Sequence, residues 1–126
     1  MRIAIGAESP ERLSSAHFGD SAFYHIVEVQ ADGRLEPTEN RPNPGFAERQ
    51  HGDPGKAQNI RQLLDDVDVL VAREVGPNIG RMSQHFVIML TKEAMLDNVL
   101  ESLQKNGLPG IAQNAIETGG RRVFKF

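Results

Sequence analysis

The chain contains no cysteine. Disulfides are thereby excluded, and so is thiolate ligation of zinc or of an iron–sulfur cluster. Any metal held here must take His, carboxylate or backbone ligands, or arrive with ligands of its own. Long hydrophobic runs are missing too: no segment approaches the roughly 18 consecutive apolar residues that a membrane span requires. The first residues read directly as a strand, without a charged region leading into a long apolar stretch, so no secretory leader is expected and the cytoplasm is the expected location. Nor is positive charge concentrated anywhere. The 14 Lys and Arg are mixed among 17 Asp and Glu for a net charge of -3, which argues against a nucleic-acid partner held through its phosphates.

What remains fits a soluble α/β domain. The 126 residues, 39% hydrophobic with 12 glycines, suffice for a single domain with its own core. Ile3–Ala7 reads as a short buried strand, and Phe23–Val29, with its alternation and β-branched residues, as a second. Asp32-Gly33 supplies a hairpin turn, and Arg34–Thr38 an antiparallel edge strand on which Pro37 is tolerated. Asn40–Lys56 is polar and rich in Pro and Gly, a mobile loop or a functional lid. Asp53-Pro54 starts a helix with Ile60, Leu63, Leu64 and Val67 on one face. Val67–Ala72 is then a strand covered on both sides.

Pro77-Asn78 opens a second helix ending near His85, and Phe86–Leu90 is another buried strand. Thr91 caps a helix striped by Met95, Leu96, Val99, Leu100 and Leu103, which Asn106-Gly107 stops. Leu108–Phe126 has no firm pattern. This order suits three layers: a mixed five-stranded sheet, order 3-2-1-4-5, with helices on both faces.

In such a sheet the first and fourth strands flank a switch point, and the loops leaving their carboxyl ends open a crevice. One loop carries His17-Phe18-Gly19 and the other Arg73-Glu74-Val75-Gly76-Pro77-Asn78. His17 offers an imidazole for iron or another borderline metal; its alternative is a turn histidine that orders the loop. Phe18 suits a core anchor and Gly19 a backbone bend. Gly76-Pro77-Asn78 is a plain helix start or, through free N–H groups, an anion cradle. Arg73 would add a carboxylate- or phosphate-binding donor, or simply pair with Glu74. His51 could swing over the crevice as a second ligand or remain solvated. His25 and His85 are not expected to be ligands.

The segment IAIGAESPERLSSAHFGDSAFYHIVEV, with its S-x-H-F-G turn between strands, resembles the opening of the dinitrogenase iron–molybdenum cofactor biosynthesis family, the NifX-like group. VDVLVAREVGPNIGRMSQHFVIML resembles the later strand, Gly-Pro loop, helix and strand of the same family. The resemblance covers about Met1 to Leu103, so residues 1–126 read as one NifX-like domain with its core at about 1–106 and a C-terminal extension at 107–126. It implies a ribonuclease-H-like fold and a non-catalytic carrier of an iron–sulfur or iron–molybdenum cofactor precursor in nitrogen fixation. The implied cargo is an anionic metal cluster bringing its own sulfides, with a cofactor-assembly or acceptor protein, and a second copy of the chain, as candidate partners.

Two other readings compete. A metal-dependent hydrolase needs converging carboxylates, yet Glu8 ends the first strand while Asp68 begins the fourth, at opposite edges of the sheet. An interaction module of the same fold that has lost cluster binding could use the basic and aromatic tail Gly119–Phe126. The alternative for that tail is an extra strand on the sheet of this chain or of a second copy.

Overall fold

The computed structural model describes residues 1–45 and 54–126. Strands β1 (Arg2–Ala7), β2 (Phe23–Val29) and β3 (Leu35–Pro42) form an antiparallel meander. Helix α1 (Pro54–Leu63), β4 (Val69–Ala72), α2 (Ile79–Met82) and β5 (Val87–Leu90) follow, then α3 (Leu96–Lys105), α4 (Leu108–Thr118) and β6 (Val123–Lys125). The strands make one mixed sheet of order β3-β2-β1-β4-β5-β6, parallel from β1 through β6. No helix among the described residues is long and apolar enough to cross a membrane.

Alternation along the strands sends side chains to two cores. Ala4, Tyr24, Ile26, Leu70 and Ile88 pack with Ile60 of α1, Leu64 just after it, and Met82 of α2. Ile3, Ile5, Val69, Val71 and Met89 face the opposite way, against Val99 and Leu103 of α3 and Leu108, Ala112 and Ala115 of α4. Full burial of each large aliphatic side chain contributes about 1.5–3 kcal/mol, so the sheet is held from both faces.

The expected sheet had five strands, with an extra strand as the alternative reading of the tail; six are present among the described residues. The tail supplies β6, which is joined to β5 when Ile88 N–H donates to the Arg122 carbonyl and Phe126 N–H to that of Leu90. Val123 enters one core, and Phe124 and Phe126 the other. The segment 107–126 is thus integrated into the sheet through α4 and β6.

Other boundaries also differ. Strand β3 runs to Pro42, beyond Thr38, because polar Asn40 and Arg41 pair with His25 and Tyr24 past an irregularity at Ile26/Val27. The helix expected from Thr91 starts at Leu96. Leu13 N–H donates to the Ala94 carbonyl and Leu96 N–H to that of Glu11, which holds Met95 extended against the loop after β1. Thr91 Oγ1 accepts instead from Glu93 N–H at 3.1 Å. The helix expected over Pro77–His85 is a single turn, Ile79–Met82. Of the loop expected over Asn40–Lys56, residues 40–42 belong to β3 and 54–56 to α1, while residues 46–53, with Asp53 the expected helix cap, lie outside the described residues.

A charge network braces the far end of the sheet. Arg41 of β3 clamps Asp66 with two hydrogen bonds of 2.7 and 3.0 Å and donates to the Leu63 carbonyl at the end of α1. It also bonds Glu39, while Arg2 of β1 bridges Asp66 and Glu28. The Arg41 guanidinium holds both the Asp66 and Glu39 carboxyls below their ordinary range, hydrogen bonding being the main cause.

Candidate functional site: the crevice between the first and fourth strands

Leaving β1, the chain folds back on itself. Ser14 N–H donates to the Gly6 carbonyl, Ser15 N–H to Glu8 Oε1 at 2.9 Å, and Ala16 N–H to Ser14 Oγ at 3.2 Å. A short 3₁₀ turn, Phe18–Asp20, follows. The Phe18 ring is fully buried, 4.7 Å from the Tyr24 ring between centroids. Its carbonyl is a hub: it accepts from Ser21 N–H, from Ser21 Oγ at 2.8 Å and from Tyr24 Oη at 2.9 Å. Gly6 makes this approach available, because a Cβ there would sit 2.4 Å from Ser21 Oγ.

Burial, reinforced by the Asp20 charge, pushes the Tyr24 phenol well above its ordinary pKa. Asn43, just past β3, locks the turn from outside, its amide donating to the Gly19 and Ser21 carbonyls at 3.0 and 2.8 Å.

The loops after β1 and β4 meet. Phe18 N–H donates to the Glu74 carbonyl at 2.8 Å. The His17 ring lies directly on Gly76, whose φ of +90° already favours glycine; a Cβ there would fall 2.5 Å from His17 Nδ1. His17 Nε2 is 3.4 Å from Glu74 Oε1.

Beside this contact is a pocket of about 20 Å³, room for about one water molecule. His17, Gly19, Pro77 and Asn78 line it, together with Lys56, Ala57 and Ile60 of α1, and Val75 and Met82. The structure therefore brings four expected residues to one wall. Phe18 stands behind it in the core, and Gly76 supports the imidazole from below. Arg73 is exposed and outside the lining. His51 lies outside the described residues. Asn78 is buried and holds Arg81 Nη1 through its Oδ1 at 2.8 Å, so it braces the one-turn helix α2. One turn aligns few peptide dipoles and offers an anion correspondingly little.

Of the other histidines, His25 is buried in β2 and its Nδ1–H donates to Asn40 Oδ1 at 2.7 Å. His85 is exposed after α2.

Sequence reasoning missed Lys56. This lysine is buried, its Cε packs above Gly19, and its ammonium contacts the Asp20 carboxylate. Asp20 directly follows the His-Phe-Gly turn, and that adjacency was the available signal. No group of three His, Asp or Glu suited to a metal ion occurs among the described residues. The wall instead offers one imidazole, one ammonium, the Asn78 side chain and apolar surface, a set that suits an anion better than a bare cation.

A family profile described as dinitrogenase iron-molybdenum cofactor matches residues 1–106. No protein of curated function matches the sequence. Among solved structures, the chain is similar to the NMR structure of a Thermotoga protein assigned by its description to NifB and to the DUF35 family. The two share 18% identity and a TM-score of 0.50, over 84% of this chain and 88% of that one.

Proposed function

This chain belongs to the dinitrogenase iron-molybdenum cofactor family, and on that premise we propose that it is a non-catalytic carrier. Its cargo would be an iron–sulfur or iron–molybdenum cofactor precursor. The observation that carries this reading is the seating of His17 on Gly76, which presents an imidazole nitrogen at the meeting point of two loops distant in sequence. A neutral imidazole can replace a labile ligand on one metal of a cluster whose sulfides are already in place. One protein ligand favours release as much as capture, which suits a carrier.

We read the fold as ribonuclease-H-like and residues 1–126 as one domain in which 107–126 completes the sheet. The same reading makes the protein cytoplasmic, independent of nucleic acid, and a donor of its cargo to an assembly or acceptor protein. Of the residues proposed for the site, His17 would ligate metal. Gly19, Gly76, Pro77 and Asn78 would shape the wall, Phe18 would anchor the turn, Arg73 would approach from the rim, and His51 is kept as a candidate second ligand.

Anaerobic titration with the extracted iron–molybdenum cofactor tests the proposal. A one-to-one complex that His17→Ala weakens at least tenfold is expected, whereas equal affinity in that variant would remove His17 from the site.

A further inference from the structure

The two nitrogen groups on the pocket wall are already engaged by carboxylates of the same chain. The Lys56 ammonium contacts Asp20, and His17 Nε2 lies 3.4 Å from Glu74 Oε1. The arrangement is layered. The Lys56 and His17 side chains are 10% and 28% exposed, while those of Asp20 and Glu74 are 49% and 63% exposed. The nitrogens therefore lie inside and the carboxylates cover them from the solvent side.

We propose that Asp20 and Glu74 are exchangeable internal ligands that a multiply charged anionic cargo displaces, with Lys56 as the cation that receives the cargo's charge. The inference rests on the carrier reading above and adds to it a charge receiver and a mode of competition. A buried ammonium that loses a carboxylate contact is disfavoured, so an incoming anion that takes the place of Asp20 on Lys56 offsets that loss. The half-exposed carboxylates recover hydration as they leave, and this keeps the exchange close to balanced. Gly19 keeps Lys56 in place, since a Cβ there would come within 3.0 Å of Lys56 Cε.

The cargo class follows. A multiply charged anion that meets the Lys56 ammonium and also reaches the His17 ring can displace both carboxylates, whereas a small monoanion replaces only one. No bond to the protein backbone need break, because Phe18 N–H is held by the Glu74 carbonyl and not by its side chain.

Tetrathiomolybdate, a sulfide-capped dianion with strong visible absorption, is a suitable probe for anaerobic titration of the full chain. Relieving one competing carboxylate, in Asp20→Asn or Glu74→Gln, is expected to tighten binding about three- to tenfold, and Lys56→Met to weaken it about tenfold. Asp20→Asn should have no effect in the Lys56→Met background. Glu74→Gln, at an exposed position, keeps the test valid should Asp20→Asn impair folding. Wild-type binding that both carboxylate variants leave unchanged or weaken would overturn the competition and leave the carrier reading standing. Absence of binding in every variant, together with failure of the extracted cofactor to bind, would overturn both.

Discussion

Substitution of Gly76 by alanine examines the contact on which the site depends. Two costs arise from the structure. At φ +90° a Cβ costs about 1–2 kcal/mol of backbone strain, offset by about 0.4–1 kcal/mol from the reduced freedom of the unfolded chain. The second cost is steric: the new methyl would fall 2.5, 2.9 and 3.0 Å from Nδ1, Cγ and Cε1 of His17. Because the ring is partly exposed, it relieves the overlap by swinging outward, forfeiting its packing and its Glu74 contact, about 1 kcal/mol together.

Gly76→Ala should therefore destabilise the wild type by about 1–2.5 kcal/mol, and by about 1 kcal/mol less in a His17→Ala background, where no ring obstructs the methyl. Thermal or urea unfolding of the four proteins measures this coupling; for a chain of this size each kcal/mol shifts Tm by about 3–6 °C. Equal costs in both backgrounds, within about 0.3 kcal/mol, would refute the seating of His17 on Gly76.

Three further outcomes are expected. Asn43→Ala, which leaves the Gly19 and Ser21 carbonyls without their amide donor, should cost about 1–2 kcal/mol in urea unfolding and speed amide hydrogen exchange in residues 18–21. Tyr24 is the chain's one tyrosine, and its raised pKa stabilises the fold below the unfolded-state value of about 10 and is lost as pH rises beyond it. Its 295 nm absorbance should accordingly change together with cooperative alkaline unfolding, and a simple titration near pH 10 in the folded protein would contradict the burial.

Asp66 and Glu39, held low by Arg41, stabilise above their unfolded values and lose that contribution as pH falls through their folded ones. Arg41→Met should cost about 1–2 kcal/mol at neutral pH and flatten the acid limb of the stability profile below about pH 4.

The meander and the parallel core were legible because their residues obey simple periodicities. Asp32-Gly33 lies at the hairpin turn, with Gly33 at φ +86° and its N–H donating to the Gln30 carbonyl. Helix α4 escaped, and β6 was legible only as the alternative reading of the tail, both for physical reasons. Helix α4 turns small residues, Ala112 and Ala115, to the core beside Leu108 and contains Gly110, so its apolar stripe is weak. Strand β6 is flanked by Arg121 and Arg122 and holds Lys125, and its edge position lets those charges reach solvent, which hides the alternation.

At the site, topology alone brought the His17 and Gly76 loops together, since strand order determines which loops share a crevice. It could not pair Asp20 with Lys56, 36 residues apart, because each alone reads as an ordinary surface charge. Asn43 was equally hidden: an asparagine in a Pro-rich stretch reads as turn chemistry, and its bonds to the 3₁₀ turn depend on where β3 ends.

The most direct test of the central claim is an anaerobic titration of isotope-labelled protein with the extracted iron–molybdenum cofactor, followed by amide resonances. Broadening by the cluster is expected first at His17–Gly19 and Val75–Asn78, with α3 and α4 on the opposite face of the sheet unaffected. Broadening centred on α3 and α4, or none at all at saturating cofactor, would contradict the assignment of the crevice as the carrier site.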